Sequence, residues 1–252
     1  MKTSSVVKWL GHSTVMIQFP GISIITDPIL SKWIGQPGFG AFRYGKTPRL
    51  TKAEISNTDV ILISHAHLDH MDISTIKRFD NTRTIIMTAR GTSDVVAGLE
   101  FDTRELAWGK SVEFKNTTIK ALRVNHLNWR YPTEIGTERT CNAYLISHDG
   151  YNIFFGGDMA LPLRFRVPDI PVHLAILPIG SSLYNNNAHI SAEQAIVVAD
   201  TLHSKYILPM HWGTYSTTIE GREPIKQLFE NINDPSRIVI KRIGQSWILK
   251  KK

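Results

Sequence analysis

Three histidines and two aspartates, His65, His67, Asp69, His70 and Asp72, fall within eight consecutive positions of the stretch ILISHAHLDHMD. Imidazole nitrogen and carboxylate oxygen are the donors that borderline divalent metals such as Zn²⁺ accept. Packing so many imidazoles without a ligand would bring desolvation and no compensating bonds. The apolar run before them reads as a buried strand, so the cluster stands at a strand end, where α/β proteins place their chemistry. From such a turn His65 and His67 can aim at one point while Asp69 and His70 aim at another. Two metals need more donors than these four. The chain supplies them in a repeated placement: His126 follows IKALRV, Asp158 follows YNIFFGG and His211 follows KYILPM. Three donors, each just past a strand, bring the set to seven.

The elements that must position these donors are legible as short apolar runs with turn residues between them. Strands are predicted at VVKWLG, VMIQF, ISIIT, DVILIS, TIIMT, SVEF, TIKALRV, CNAYLIS, YNIFFGG, HLAILPI, KYILPM, RIVIKR and SWILK. Helices are predicted to begin near Ile73, with Asp72 as N-cap, and near REPIKQLFENI. A third opens at Ser191, where Ser191 and Gln194 have capping-box spacing ahead of an apolar face at Ala195, Val198, Ala199 and Leu202. The glycine- and proline-rich segment DPILSKWIGQPGFGAFRYGKTPRL is expected as a long loop, either packed on itself or facing substrate.

Composition bounds the rest. A chain of 252 residues, 42% hydrophobic, suits one domain spanning residues 1–252. Cys141 is the only cysteine, which excludes a disulfide framework and a thiolate zinc cluster and leaves that residue a packing role. The first residues carry no apolar core of signal-peptide length, and no segment approaches the roughly 20 apolar residues of a membrane span, so a cytoplasmic protein without a transmembrane segment is expected. Net charge is +7 and the isoelectric point about 9.5. The basic residues are scattered, so an anionic small molecule is a better expectation than nucleic acid.

The pattern His-x-His-x-Asp-His followed by His126, Asp158 and His211 resembles the metallo-β-lactamase fold superfamily. The segments WLGHSTVMIQF, ITDPIL, ISHAHLDHMD, NHLNWR, FFGGDM, HISAEQAI and PMHWGTY are similar to the branch containing N-acyl phosphatidylethanolamine phospholipase D and its bacterial relatives. L-ascorbate 6-phosphate lactonases are a looser match. The resemblance spans Trp9 to about Tyr215 and implies an α/β fold, a four-layer αββα sandwich. It also implies two divalent metal ions, Zn with Mn or Fe as alternatives: His65, His67 and His126 hold one, Asp69, His70 and His211 the other, and Asp158 bridges them.

The activity so implied is hydrolysis of an anionic ester by a hydroxide held between the two metals, a phosphodiester first and a sugar-phosphate lactone as the near alternative. Asp69 is expected to handle a proton as well as bind metal. His189, just before the capped helix whose N-terminal end favours anions, is expected beside the substrate as a catalytic and binding residue. Trp129 and Arg130 would add an aromatic wall and an anion clamp. His12 is placed near the site by the resemblance, and Asp27 either starts a turn or supports an imidazole. His148, His173 and His203 are expected at the surface or as caps. A non-catalytic binding protein of the same fold is the contrasting class, which loss of any of the seven donors would have favoured.

Overall fold

The computed structural model describes residues 4–36, 39–44, 50–134, 138–180, 188–216 and 223–249. The chain opens with β1 (Val6–Gly11), β2 (Thr14–Phe19), β3 (Ile22–Thr26) and a hairpin of β4 (Trp33–Gln36) and β5 (Phe39–Phe42). Next come α1 (Lys52–Ser56), β6 (Val60–Leu62), α2 (Ile73–Ile76), β7 (Ile85–Ala89), β8 (Asp102–Leu106), β9 (Ser111–Phe114) and β10 (Thr117–Arg123). It continues through β11 (Asn142–His148), β12 (Tyr151–Phe155), β13 (Leu174–Pro178), α3 (Ala192–Thr201), β14 (Tyr206–Met210), α4 (Glu223–Asn231) and β15 (Ser246–Ile248). One sheet has the order β15-β1-β2-β3-β6-β7-β8 and the other β14-β13-β12-β11-β10-β9.

Alternation along the strands builds the layers. Val7, Trp9, Val15, Ile17, Ile24, Val60, Leu62 and Met87 point from the first sheet into a core shared with the second. Leu10, Met16, Ile25, Ile61 and Ile86, on the opposite face, pack under Met71, Ile76 and Phe79 around α2. Period-two alternation with both faces apolar is what a sheet covered on both sides requires. On the far side α3 buries Ala192, Ala195, Val198 and Ala199 in the same core as the second sheet. Its N-cap Ser191 and Gln194 make the reciprocal bonds of a capping box, as the spacing predicts. The order of layers is therefore helix, sheet, sheet, helix. No helix among the described residues is long and apolar enough to cross a membrane.

Three expectations need correction, and one strand was not foreseen. The glycine-rich segment after Asp27 is not all loop: β4 and β5 pair in antiparallel register, because Ile34 and Ala41 bury against Ile29 and Tyr215 while Trp33 and Phe42 meet edge to face at 4.5 Å. Residues 37–38 and 45–49 of that segment lie outside the described residues. RIVIKR contributes an isolated bridge, Ile238 to Ile207, rather than a strand. DTREL forms β8, an edge strand whose largely polar, exposed pattern hides it. His148 is buried, stacked on Phe19 at 4.6 Å and bonded to the Thr117 hydroxyl, not at the surface.

Candidate metal centre

The ends of both sheets meet at one mouth, and loops leaving them carry every donor the sequence singles out. In the parallel pair β3–β6, Thr26 faces Leu62. The residues just beyond therefore stand side by side, and Asp27 accepts from the Ser64 N–H at 2.7 Å and the Ser64 hydroxyl at 2.6 Å. The N–H groups of His70 and Met71 then donate to the His67 carbonyl, folding the histidine-rich segment back over the strand end. The loops carrying His126 and Asp158 are tied by a bridge between Asn125 and Ala160. His211 N–H donates to the His12 carbonyl at 3.1 Å, which joins the last strand of one sheet to the first turn of the other.

Close approach at the mouth is made possible by two glycines. Gly157, at φ +56, precedes Asp158, and a Cβ there would lie 2.6 Å from the Ser64 Cβ. At Gly180 a Cβ would lie 1.7 Å from the His211 carbonyl oxygen. His12, Asp27 and His211 themselves hold φ of +50, +32 and +62. Non-glycine residues in this region store strain of about 1–3 kcal/mol each, which surrounding structure must offset, and such strain clusters at functional sites.

The side chains form two adjoining groups. His65, His67, His126 and Asp158 present ligand atoms all within 4.8 Å of one another, and so do His12, Asp69, His70 and His211. Asp158 stands between them, with Oδ2 3.6 Å from His126 Nε2 and 3.2 Å from His70 Nε2 and Oδ1 3.3 Å from His211 Nε2. His67 Nδ1 lies 3.3 Å from His126 Nε2. Asp69 Oδ2 is 3.0 Å from His12 Nε2 and 3.7 Å from both His70 Nε2 and His211 Nε2.

Bonds on the outer side of three rings fix their tautomers. His126 Nδ1 faces the Ala188 carbonyl at 2.6 Å, and His70 Nδ1 faces Asp27 Oδ2 at 2.7 Å. Both partners only accept, so both rings carry hydrogen on Nδ1. Ser64 gives its single hydroxyl hydrogen to Asp27, so toward His65 Nδ1, 2.8 Å away, its oxygen accepts. His65 too is protonated on Nδ1. Its Nε2 is thereby left bare and turned inward, and so is that of His126.

Electrostatics divides the histidines. Burial, reinforced by the imidazoles around it, holds His65 well below the usual range. Burial also takes His126 to about 3 against the pull of Asp158, and His67 to about 4 against Asp69. For His211 burial is outweighed by Asp158 and Asp69, which raise it to about 9. His70 is raised well above the usual value by Asp158 and Asp69, again against burial. Asp158 and Asp69 resist burial through the surrounding imidazoles and stay well below the ordinary carboxylate range.

A divalent cation fits this arrangement on the evidence of the atoms themselves. His65 Nε2, His67 Nε2, His70 Nε2, His211 Nε2 and Asp158 Oδ1 are buried without a hydrogen-bond partner, each costing about 1–3 kcal/mol unless something satisfies it. Hard and borderline cations satisfy such a nitrogen and oxygen set.

Residues outside the seven donors take these places. His189 is partly exposed, its Nδ1 3.7 Å from Asp158 Oδ2 and its ring 5.1 Å from that of His126. Trp129 walls the site beside His67, ring centres 5.5 Å apart. Asp72 caps α2, as its position predicts, and Cys141 is buried with its thiol on the Leu127 carbonyl. Arg130 differs from expectation. It is buried, and Nη1 donates to the carbonyls of Ala66 and Met71, so it braces the histidine-rich loop from behind instead of reaching toward substrate. Sequence reasoning missed Ser64, whose hydroxyl relays between Asp27 and His65, and the Ala188 carbonyl. A serine next to the first histidine is a detectable signal; a backbone carbonyl is not.

Residues 6–211 match the family described as Beta-lactamase superfamily domain. The chain is 27% identical to the N-acyl-phosphatidylethanolamine-hydrolyzing phospholipase D 1 of Caenorhabditis elegans, over 95% of this chain and 74% of that protein. Of another curated relative it spans about half, 51%. It is 28% identical to a UPF0173 metal-dependent hydrolase of Flavobacterium johnsoniae, over 95% of this chain and 98% of that one. In fold it is similar to a possible metal-dependent hydrolase of Veillonella parvula, with TM-score 0.78, 16% identity, and 98% and 100% of the two chains covered.

Proposed function

Since the chain belongs to the beta-lactamase superfamily domain family, we propose that it is a metal-dependent hydrolase with two cations, acting on an anionic ester and on phosphodiesters first. The observation that carries this reading is the position of Asp158, whose carboxylate lies within 3.6 Å of imidazoles from both groups, Oδ2 facing His126 and His70 and Oδ1 facing His211. His65, His67 and His126 would hold one cation, Asp69, His70 and His211 the other, and Asp158 both. Two such cations supply a water acidified enough to attack at neutral pH and polarise the ester oxygen.

The chain's own residues do the rest. Asp27, Ser64 and the Ala188 carbonyl hold three imidazoles in the tautomer that turns Nε2 inward. Asp69, with 25% of its side chain exposed against 1% for Asp158, is the carboxylate placed to exchange a proton with the substrate side. His189 and Trp129 line the opening. Burial lowers the His189 pKa, so this ring offers substrate a hydrogen bond rather than a full charge. The net charge of +7 favours approach of an anion. The curated relative from Caenorhabditis elegans is named for hydrolysis of a phospholipid diester, which supports placing phosphodiesters ahead of lactones.

The test is a hydrolysis screen of the metal-loaded protein against soluble phosphodiesters, N-acyl phospholipids and phosphorylated lactones. Turnover of a phosphodiester well above that of the lactones is expected. Turnover of lactones alone would reassign the substrate class, and no hydrolysis of any ester would sink the enzymatic reading.

Proton release gives an independent check. At pH 7.5 His65, His67 and His126 are already neutral, whereas His211, with a pKa near 9, and His70 are charged. Loading the metal-free protein should therefore release on the order of one to two protons from the half containing His211, in addition to any lost by a metal-bound water. The sign follows from the raised pKa: release is full at neutral pH, fades as pH rises through about 9, and makes binding to that half weaker as pH falls. Calorimetric titration in buffers of different ionisation enthalpy reads it. Heats independent of the buffer, or a proton release that does not fall as pH rises through about 9, would contradict the assignment.

A further inference from the structure

Four residues, not three, crowd the second half of the site, because His12 brings Nε2 into the same 4.8 Å group as Asp69, His70 and His211. Whether His12 is a fourth ligand or something else is decided by the other side of its ring. His65, His70 and His126 each have an acceptor on Nδ1. His12 Nδ1 is buried and has no hydrogen-bond partner among the described residues.

A neutral imidazole carries one ring hydrogen. Placed on Nδ1, it would be a buried donor facing no acceptor. Placed on Nε2, it meets Asp69 Oδ2 at 3.0 Å, a carboxylate oxygen that can only accept. The second arrangement leaves merely an unused lone pair on Nδ1 and is the cheaper one. A nitrogen that spends its hydrogen on Asp69 has no lone pair for a metal. Resting on the ligand set proposed above, we infer that His12 is not a metal ligand but the residue that orients Asp69, fixing the carboxylate by a hydrogen bond from Nε2–H.

The packing around His12 suits a positioning residue. Its backbone N–H donates to Thr214 Oγ1 at 2.7 Å, and its carbonyl accepts from Trp9 Nε1 at 2.8 Å and from His211 N–H. The ring is fully buried, meets Tyr215 edge-on at 5.5 Å and lies 4.0 Å from the His211 ring. It has no room to swing. Asp69, by contrast, is partly exposed, and its other imidazole neighbours stand at 3.7 Å, so the bond from His12 is the close contact that holds it. The strained backbone at His12, φ +50, aims the ring at Asp69.

Nitrogen-15 spectra of the zinc-loaded chain, with histidine labelled and the His12 signals assigned from His12→Gln, test this directly. His12 Nε2 should bear a hydrogen and Nδ1 should be bare and unbound. A bare, zinc-bound Nε2 with hydrogen on Nδ1 would overturn the inference while leaving the two-metal reading intact; failure of the chain to bind zinc at all would sink both. Zinc titration separates positioning from packing. His12→Leu should weaken one of the two zinc sites, the one containing Asp69, about 10- to 100-fold, and His12→Gln, which keeps a side-chain N–H, should restore most of the loss. Equal losses in the two variants would make His12 a ligand, and no loss in either would make it a packing residue; both outcomes overturn the proposal.

Discussion

Asp158→Ala is expected to lower kcat/KM by on the order of 10³-fold or more and to reduce the metal content of the purified protein, while leaving a folded chain. The expectation rests on where the carboxylate stands. Its side chain is 1% exposed, with Oδ2 toward His70 and His126 and Oδ1 toward His211, so no neighbouring side chain replaces either oxygen. Removing it also takes the carboxylate away from His126 and leaves Asp69 as the counter-charge to His70 and His211, which weakens both halves of the site at once. The core strands are untouched, so far-ultraviolet circular dichroism should be unchanged. Normal metal content together with a normal rate would show that the residue between the two groups has another purpose.

His189→Ala is expected to behave differently, keeping both metals yet losing about 10- to 1000-fold in kcat/KM on the true anionic substrate. His189 lies at the opening, 20% exposed, with Nδ1 3.7 Å from Asp158, and its removal alters none of the seven donors. The loss should shrink on a nitrophenyl ester, whose good leaving group asks little of the protein. Loss of metal in this variant would put His189 in the coordination sphere with Asp158 and His211, a combination the geometry permits. Full activity on every substrate would make it only a loop residue ahead of α3.

Much of this architecture was legible in the chain because strong local signals agreed with the tertiary outcome. The apolar runs before His65, Asp158 and His211 became β6, β12 and β14, and the Ser191–Gln194 spacing became a capping box. What escaped detection depended on tertiary packing. The hairpin β4–β5 is made by Ile34 and Ala41 finding Tyr215, a partner far along the chain, so composition read it as loop. β8 is an edge strand and carries too few apolar residues to announce itself. At the site, donor identity was visible but side-chain direction was not. Arg130, next to an aromatic and near a histidine, reads as an anion clamp until its guanidinium is found on the carbonyls of Ala66 and Met71. Asp27, open between a turn and a support for an imidazole, takes the supporting place through the parallel register of β3 and β6, which sets it beside Ser64 and under His70.

The central claim is that these side chains make a two-metal hydrolytic site, and metal analysis of the purified protein coupled to chelation tests it most directly. The protein should carry close to two transition-metal ions per chain, lose hydrolysis completely when a chelator removes them, and regain it with Zn²⁺ or Mn²⁺. Hydrolysis that persists at full rate after every metal ion has been removed would contradict it.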